Sequence, residues 1–476
     1  MGLTAALQIG ANGLAIYQVA NEVTSENIAN VNTAGYSRQK VVLESAPPTN
    51  SNGFPLGTGV RITAVERVYD SMLQQQLVES TSTLGYDTTK SQVLQQIEPS
   101  VNETSQDGLG AAISKYFSSW QDLTLNPGGY FERQAVISRG QTLADNFHAI
   151  SETFNSTITN QDKSLTSLTA SINEKLKSIA SLNHQIQTTE LVSGNANETR
   201  DQRDQLIRDL SQQMGVKFTE NQDGTTDVYV QNGATQNFLV QGAQYGSMSI
   251  GGASPASTVT INDVAGGTVA VDPLAATPLY TAPDGGQLWA TLQLRDVVLP
   301  NYLTQIDTLA KSITDAVNAV HSTGFSTTGG TGQNFFTPLG AVAGAAASFD
   351  LAAGLLPSNI AASSSATQPG DNTKGVAIAQ LSKATTTPSG APVTTFNNFY
   401  SSFVSTVGLD VQSSKSTVAR DEAFGNQLSA LRESNSGVSL DEELTNLVKY
   451  QRSYQASAKL ITTVSEMMDM TLAMIR

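Results

Sequence analysis

Three histidines, His148, His184 and His321, are the whole imidazole inventory of this 476-residue chain. None stands at a metal-ligand spacing from another, so no metal site is expected. His321 falls near a predicted helix end, where a partial positive charge on the ring is favourable. Cysteine is absent, which removes disulfides, thiolate zinc sites and cysteine nucleophiles together. Asp and Glu number 41, so two could meet by chance as a glycosidase pair. No pattern marks such a pair. No catalytic residue and no cofactor site is expected, and the chain is not read as an enzyme. "RDQRDQLIRD" (Arg200 to Asp209) offers guanidinium groups for an anion. Its spacing, with Arg200–Asp204 and Asp204–Arg208 at i,i+4, reads instead as charge pairs on a solvated helix face. Asn102-Glu-Thr104, Asn155-Ser-Thr157 and Asn197-Glu-Thr199 match a glycosylation pattern and, without a secretory signal, read as chance matches.

Charge narrows the partners. Lys and Arg number 26 against 41 acids, a net charge of -15. Phosphate binding needs clustered Lys and Arg, so no nucleic-acid surface is expected, and anionic membranes are disfavoured. Charged residues are 14% of the chain, against about 25% in ordinary soluble domains. Ser, Thr, Asn, Gln, Ala and Gly replace them. A surface of this kind can close against copies of itself without burying many ions. Residues 1–21 contain no Lys or Arg, and Gln8, Asn12 and Gln18 interrupt their apolar run, so no secretory signal is read. No stretch of about 18 apolar residues predicts a membrane span.

With so little chemistry in single residues, the order of the chain lies in its stripes. Leu3, Leu7, Gly10, Leu14, Tyr17, Asn21, Thr24, Ile28 and Val31 alternate at spacings of four and three, a heptad pattern with polar gaps. A second stripe of Ala6, Ile9, Gly13, Ile16, Ala20 and Val23 runs beside it. Small residues on this face allow a close helix partner. The helix is expected to stop at Thr33-Ala34-Gly35. At the other end Leu440, Leu444, Leu447, Gln451, Tyr454, Ala458, Ile461, Ser465, Met468, Leu472 and Ile475 keep the same spacing. Ser439 to Glu442 fits a capping box, and Asp441, Glu442 and Glu443 suit the positive end of the helix. Tyr450 and Tyr454, with Gln451 and Gln455, read as packed interface positions. One amphipathic helix alone is marginal in water, so the two terminal helices are expected to pack together.

Between the ends, residues 39–70 read as extended chain and 72–97 as helix. Leu109 to Trp120 mark another helix, and Leu143 to Ile186 keep one apolar face over more than forty residues. Thr199 to Met214 is helical, with Gly215 as its stop. "VKFTENQDGTTDVYVQNG" from Val216 alternates around Asp-Gly and predicts a β-hairpin. Helix returns over 288–320, with Gly324 as stop. Residues 325–372 read as loops with short strands, then helices at 374–384 and 396–433. The predicted fold is mainly α with a β-rich insertion. A terminal coiled-coil stem (1–35 with 440–476) carries an elongated helical body (36–215 with 287–439), and the β segment (216–286) is an outer domain inserted in it.

"SENIANVNTAGYSRQ", with Asn27, Asn30, Asn32, Gly35 and Tyr36, resembles the N-terminal motif of the axial proteins of the bacterial flagellum. "SGVSLDEELTNLVKYQRSYQASAKLITTVSEMMDMTL" resembles their C-terminal motif. "NETRDQRDQLIRDLS", "LQLRDVVLPNYLTQIDTLAKSITDAVNAVHSTGF" and "ESNSGVSLDEE" resemble the hook-associated protein 1 branch, which forms the hook–filament junction. Ala34 departs from the proline often found there, which leaves the turn less stiff. The resemblance implies a self-assembling structural role in a ring of subunits, with no cofactor. Its implied partners are the hook protein on one side, and the next junction protein or flagellin on the other. It implies export through the flagellar type III channel without a cleaved signal, to an extracellular place in the flagellum. A cytoplasmic export chaperone on the C-terminal stripe is also implied. The assembly positions would be Leu3, Leu7, Leu14, Tyr17, Ile28 and Val31, and Leu440, Leu444, Leu447, Tyr454, Ile461, Met468, Leu472 and Ile475. Another axial protein, a hook protein or flagellin, is the nearest alternative. An extracellular adhesin rests only on the Gly/Ser/Thr-rich β segment.

Overall fold

The computed structural model describes residues 2–51, 54–102, 108–385 and 394–474. Helix α1 (Gly2–Ala29) lies along α10 (Leu440–Met474), so the two ends of the chain pair as expected. A Cβ on Gly10 would come 2.7 Å from Ile461 Cγ1, and one on Gly13 2.8 Å from Ser457 Oγ. Glycine at both positions is what lets the axes approach. Tyr17 and Tyr450 stack across the seam with ring centroids 6.5 Å apart. The helix ends at Ala29, earlier than the expected stop. The turn at Asn30–Thr33 follows, and Gly35, at φ +86°, reverses the chain.

Strands β1 (Gln39–Ser45) and β4 (Val60–Arg67) pair antiparallel, with a register shift between Val42 and Leu43. A small hairpin, β2 (Thr49–Ser51) and β3 (Phe54–Leu56), lies between them. Asp70 caps α2 (Ser71–Val101) by accepting the Met72 and Leu73 N–H groups, as an N-cap carboxylate should. Then come α3 (Leu109–Leu125), α4 (Tyr130–Ser193) and α5 (Asn197–Gln213). At 1.5 Å per residue, the 64 residues of α4 span about 96 Å.

That one helix runs through two cores. Its first half gives Val136, Leu143, Phe147 and Phe154 to a core shared with α3, α7 (Leu299–His321) and α9 (Phe396–Ser436). Its second half gives Leu165, Ile172, Leu176 and Ile179 to a core shared with α5, α6 (Gly286–Gln293) and the β segment. The β segment comprises β5 (Lys217–Glu220), β6 (Thr226–Asn232), β7 (Thr235–Gln241) and β8 (Gln244–Tyr245) in that spatial order. A second sheet has β9 (Ser247–Gly251), β10 (Thr258–Asn262) and β11 (Thr268–Val271), ordered β11-β10-β9. The predicted hairpin is β5–β6, with Gly224 at φ +79°. Val228, Val230, Val259 and Ile261 point inward by strand alternation.

A π turn (Leu294–Val298) joins α6 to α7, immediately ahead of Pro300, which has no N–H for a regular ladder. Residues 325–372 contain isolated bridges, such as Phe336↔Leu351, and one 3-10 turn, Pro357–Asn359. They are nevertheless core: Phe335, Phe336, Phe349 and Ile360 are fully buried against α3, α4 and α9. This loop segment precedes α8 (Thr373–Gln380). Gly215 and Gly324 were expected to stop helices; α5 ends at Gln213 and α7 at His321. Both helices end just before these glycines, which also admit neighbouring backbone: a Cβ would lie 2.6 Å from Gly285 N and 2.8 Å from Ala361 O respectively.

His321 requires a correction. It does end α7, but it is fully buried, and its charge is not what holds it there. Nε2 accepts the Ala361 N–H at 2.9 Å and Nδ1 faces Gln333 O at 2.8 Å. Burial pushes the imidazole down to about 4. A neutral ring with Nδ1 protonated satisfies both contacts.

Candidate functional site

Among the described residues no group of three or more His, Asp or Glu could hold a metal. No helix of these residues is long and apolar enough to cross a membrane. Among the described residues, a constellation of buried polar groups forms a collar at the root of the stem. There the last turn of α1, the turn after it, the end of α9, the start of α10 and α5 converge.

Asn27 is its centre, 1% exposed. It sits on the last full turn of α1, on the same face as Ala20, Val23 and Thr24, which puts it in the seam with α10. Its Nδ2 donates to Gln39 O (2.9 Å) and Glu443 Oε2 (3.1 Å). Its Oδ1 accepts from Tyr36 Oη and from the Gln39 N–H, both at 2.9 Å. All four hydrogen-bonding positions of the amide are used. Burial pushes the Tyr36 phenol above its usual pKa, and the Glu26 charge adds to this.

Glu443 is equally buried, and its other oxygen takes Arg38 Nε at 2.7 Å. Arg38 Nη1 reaches Glu442 at 2.7 Å. Glu442, expected to close a capping box with Ser439, instead fastens the N-terminal turn to α10. The Arg38 N–H donates to Ser436 O (2.8 Å), and Arg432 Nη2 donates to Gly35 O (2.7 Å). The chain's first turn after α1 is thus held by the last turn of α9 and the first of α10.

On its inner side the collar reaches α5. The Ser37 N–H and hydroxyl donate to Asp201 (2.7 and 2.8 Å). Arg67 Nη1 on β4 bridges Asp201 and Asp204 at 2.8 and 2.7 Å. Burial opposes the Arg67 charge, but Asp204 and Asp201 outweigh it and hold its pKa above the usual value. Asn197 Nδ2 donates to Gln39 Oε1 and Val65 O. Arg203, 1% exposed, donates to Gly224 O at 2.7 Å. Arg200 pairs with Glu190 and Glu220. The solvated-face reading of "RDQRDQLIRD" is therefore overturned. Asp201 and Asp204 lie on the same helix face as Ile207 and Leu210, the face that packs inward. That coincidence of carboxylates with the apolar stripe was visible at helical spacing and is the signal the charge pairs obscured. Glu26 meets Glu198 at this joint; the bond between the two carboxyl groups, then burial, push Glu26 up to about 7.

The remaining motif positions are peripheral. Asn30 is half-buried and Asn32 is exposed. Asn30 Oδ1 accepts from Thr33 Oγ1 at 3.0 Å and so closes the turn. Leu3, Leu7, Leu14, Tyr17, Ile28 and Val31 are half-buried, while the buried seam runs through Gly10, Ile16, Ala20, Val23 and Thr24. On α10 Leu447, Ile461 and Met468 are half-buried, and Leu440, Leu444, Tyr454 and Leu472 are exposed. Ile475 lies outside the described residues. The α10 stripe is thus split: one edge faces α1 and the other, joined by Val448 and Met470, faces solvent.

The family model described as the flagellar hook-associated protein FlgK helical domain matches residues 94–336, just over half the chain. The chain belongs to the FlgK family of flagellar hook-associated proteins. Two further models, flagella basal body rod protein and flagellar basal body rod FlgEFG protein C-terminal, match residues 7–36 and 432–474. Those two stretches carry the stem, and most of the collar joins them. Relatives named flagellar hook-associated protein 1 occur in Bacillus subtilis and Escherichia coli. The first is 28% identical, covering 97% of this chain and 96% of its own length. The second is 27% identical, covering 96% and 97%. The solved structure of the flagellar hook junction protein FlgK from Burkholderia pseudomallei superposes with a TM-score of 0.64. It covers 76% of this chain and all of its own at 18% identity, and so shares the FlgK fold.

Proposed function

We propose that this chain is a structural, self-assembling subunit of the bacterial flagellum that joins hook to filament. Its membership of the FlgK family supports this, and so does the near full-length match to relatives named hook-associated protein 1. The observation that carries the mechanism is the split stripe of α10. One edge is closed by α1, while Leu440, Leu444, Tyr454 and Leu472 remain in water. Closing each leucine against a neighbouring copy would contribute roughly 1.5–3 kcal/mol. The half-buried positions Leu3, Leu7, Leu14, Tyr17, Ile28, Val31, Leu447, Ile461 and Met468 would be completed by the same neighbours.

In this reading the stem (1–35 with 440–476) builds a ring of copies, and the collar sets the angle at which the body (36–215 with 287–439) leaves it. The β segment (216–286) faces outward. Hook protein contacts the ring on one side, and the next junction protein or flagellin on the other. The subunit is exported through the flagellar channel with its ends unfolded, a cytoplasmic chaperone covering the α10 stripe until then. Burial on assembly offsets the cost of ordering those ends. Electron microscopy of cells lacking the chain tests the role. Hooks without filaments, and flagellin shed into the medium, are the expected result; normal filaments on those hooks would rule it out.

A further inference from the structure

Helices α2 and α9 run antiparallel, and their contact changes character along its length. Near the collar, Leu73 and Leu77 meet Leu428. At the far end Leu94 and Ile97 share the large core with Val407 and Val411. Between these apolar stretches, where Val78 and Tyr86 of α2 belong to the second core, the buried residues include Ser80, Asp87 and Ser91 on α2, and Ser414 and Asp421 on α9. Asp87 and Asp421 face each other there. Each has an Oδ2 shielded from solvent, with no hydrogen-bond partner among the described residues.

Two buried carboxylate oxygens cannot meet as two anions without strong repulsion, whereas one proton between them gives each a partner. The charged groups about Asp87 are Lys90 on its own helix, and Asp421 and Arg420 on α9; Glu79 of α2 lines the same cleft as Asp421. Arg420 is turned to the other oxygen of Asp421, at 3.2 Å. From α6 the polar group is Gln293, which Tyr86 takes, and α5 offers Gly85 only the Gln212 backbone. Neither supplies a counter-charge. Past Asp421, α9 runs to Arg432 and Ser436, the two residues that grip the turn at Gly35–Arg38.

We propose that a proton shared by Asp87 and Asp421 latches the middle of α9 to α2, making the collar-bearing half of α9 a pH-sensitive hinge. Burial first, then the bond to Asp421 and its charge, push the Asp87 carboxyl up to about 6, above its ordinary 3.8. A raised carboxyl stabilises the closed helix pair below the ordinary value. That contribution is lost as the pH rises through about 6 and stays lost above it.

The test is amide hydrogen exchange on the full chain from pH 4.5 to 7.5, corrected for intrinsic rates. Protection of residues 414–436 should fall on the order of tenfold over that range, while α3 peptides stay unchanged. Asp87→Asn supplies an amide that donates to Asp421 at every pH, so protection should become high and flat. Asp421→Asn makes the same neutral pair from the other side and should flatten the profile too. A flat wild-type profile, or a wild-type slope kept in the folded variants, overturns the proposal. So does protection that rises with calcium and collapses with EDTA, which would mean a cation holds the pair.

Discussion

The body and the stem use apolar surface in opposite ways. In the body, Trp120, Phe147, Phe335, Phe336 and Phe349 are entirely buried. Their rings meet at centroid distances of 4.7 Å for Phe147–Phe349, 4.5 Å for Phe336–Phe349 and 5.5 Å for Trp120–Phe335. Aromatic packing of this kind closes a core within the chain. On the α1 side the stem seam mixes small residues, Gly10, Gly13, Ala20 and Thr24, which bury little area each, with Ile16 and Val23 as its larger buried apolar side chains. On α10 Val464 is buried, whereas Leu440, Leu444 and Leu472 stand outside the seam. The small residues let the two helices come close, and further apolar area of α10 lies on the free face. The body thus closes its own aromatic core within one chain, whereas the proposed stem interface needs neighbours.

The sharpest break in that contrast would come from Trp120→Ala. Truncating this fully buried ring should cost the body about 3–5 kcal/mol in urea unfolding; a cost under about 1 kcal/mol would mean the body is as loosely held as the stem. Acid should act on the body through His321 in the direction its burial dictates. Its folded pKa, about 4, lies below the unfolded value of about 6.5. Its contribution is therefore full above the unfolded pKa and is lost as the pH falls through the folded one. The ring protons of His321 in NMR spectra should stay at their neutral positions from pH 7 to 5. A midpoint near 6.5 would show the site open to water.

The collar should respond less. Asn27→Ala strands the Tyr36 hydroxyl and the Gln39 N–H, a loss of about 1–3 kcal/mol. The loss should be confined to the joint. Proteolysis of α1 should accelerate while the unfolding midpoint of the body holds. A shift of both together would tie the collar to the body core. Smallest in the isolated chain is Leu444→Asp, which changes an exposed side chain and should alter unfolding by no more than about 0.5 kcal/mol. Its effect should appear only in assembly, as failure to join hook to filament, with Lys449→Ala on the same helix nearly silent. Normal assembly of Leu444→Asp would remove the free edge of α10 from the interface.

Much of this contrast was legible from spacing. The face shared by Leu143, Phe147, Ile150 and Ile172 identified one long helix, because a 3.6-residue period survives whatever packs on it. The 4-3 stripes at both ends identified two helices that need a partner, and Asp223-Gly224 identified the first hairpin. Tertiary structure decided the rest. Arg38 and Glu443 are 405 residues apart, and Arg67 and Asp201 are 134 apart. No local pattern records which distant charge will arrive, so Asp204 reads as paired with Arg200 and Arg208 until β4 delivers Arg67 to it and to Asp201. His321 read as a charged helix end until residues 333 and 361 closed over it. The wide stripe of α10 could not say which edge meets α1. A heptad specifies a face, and only the close approach at Gly10 and Gly13 selects the side of that face that is used.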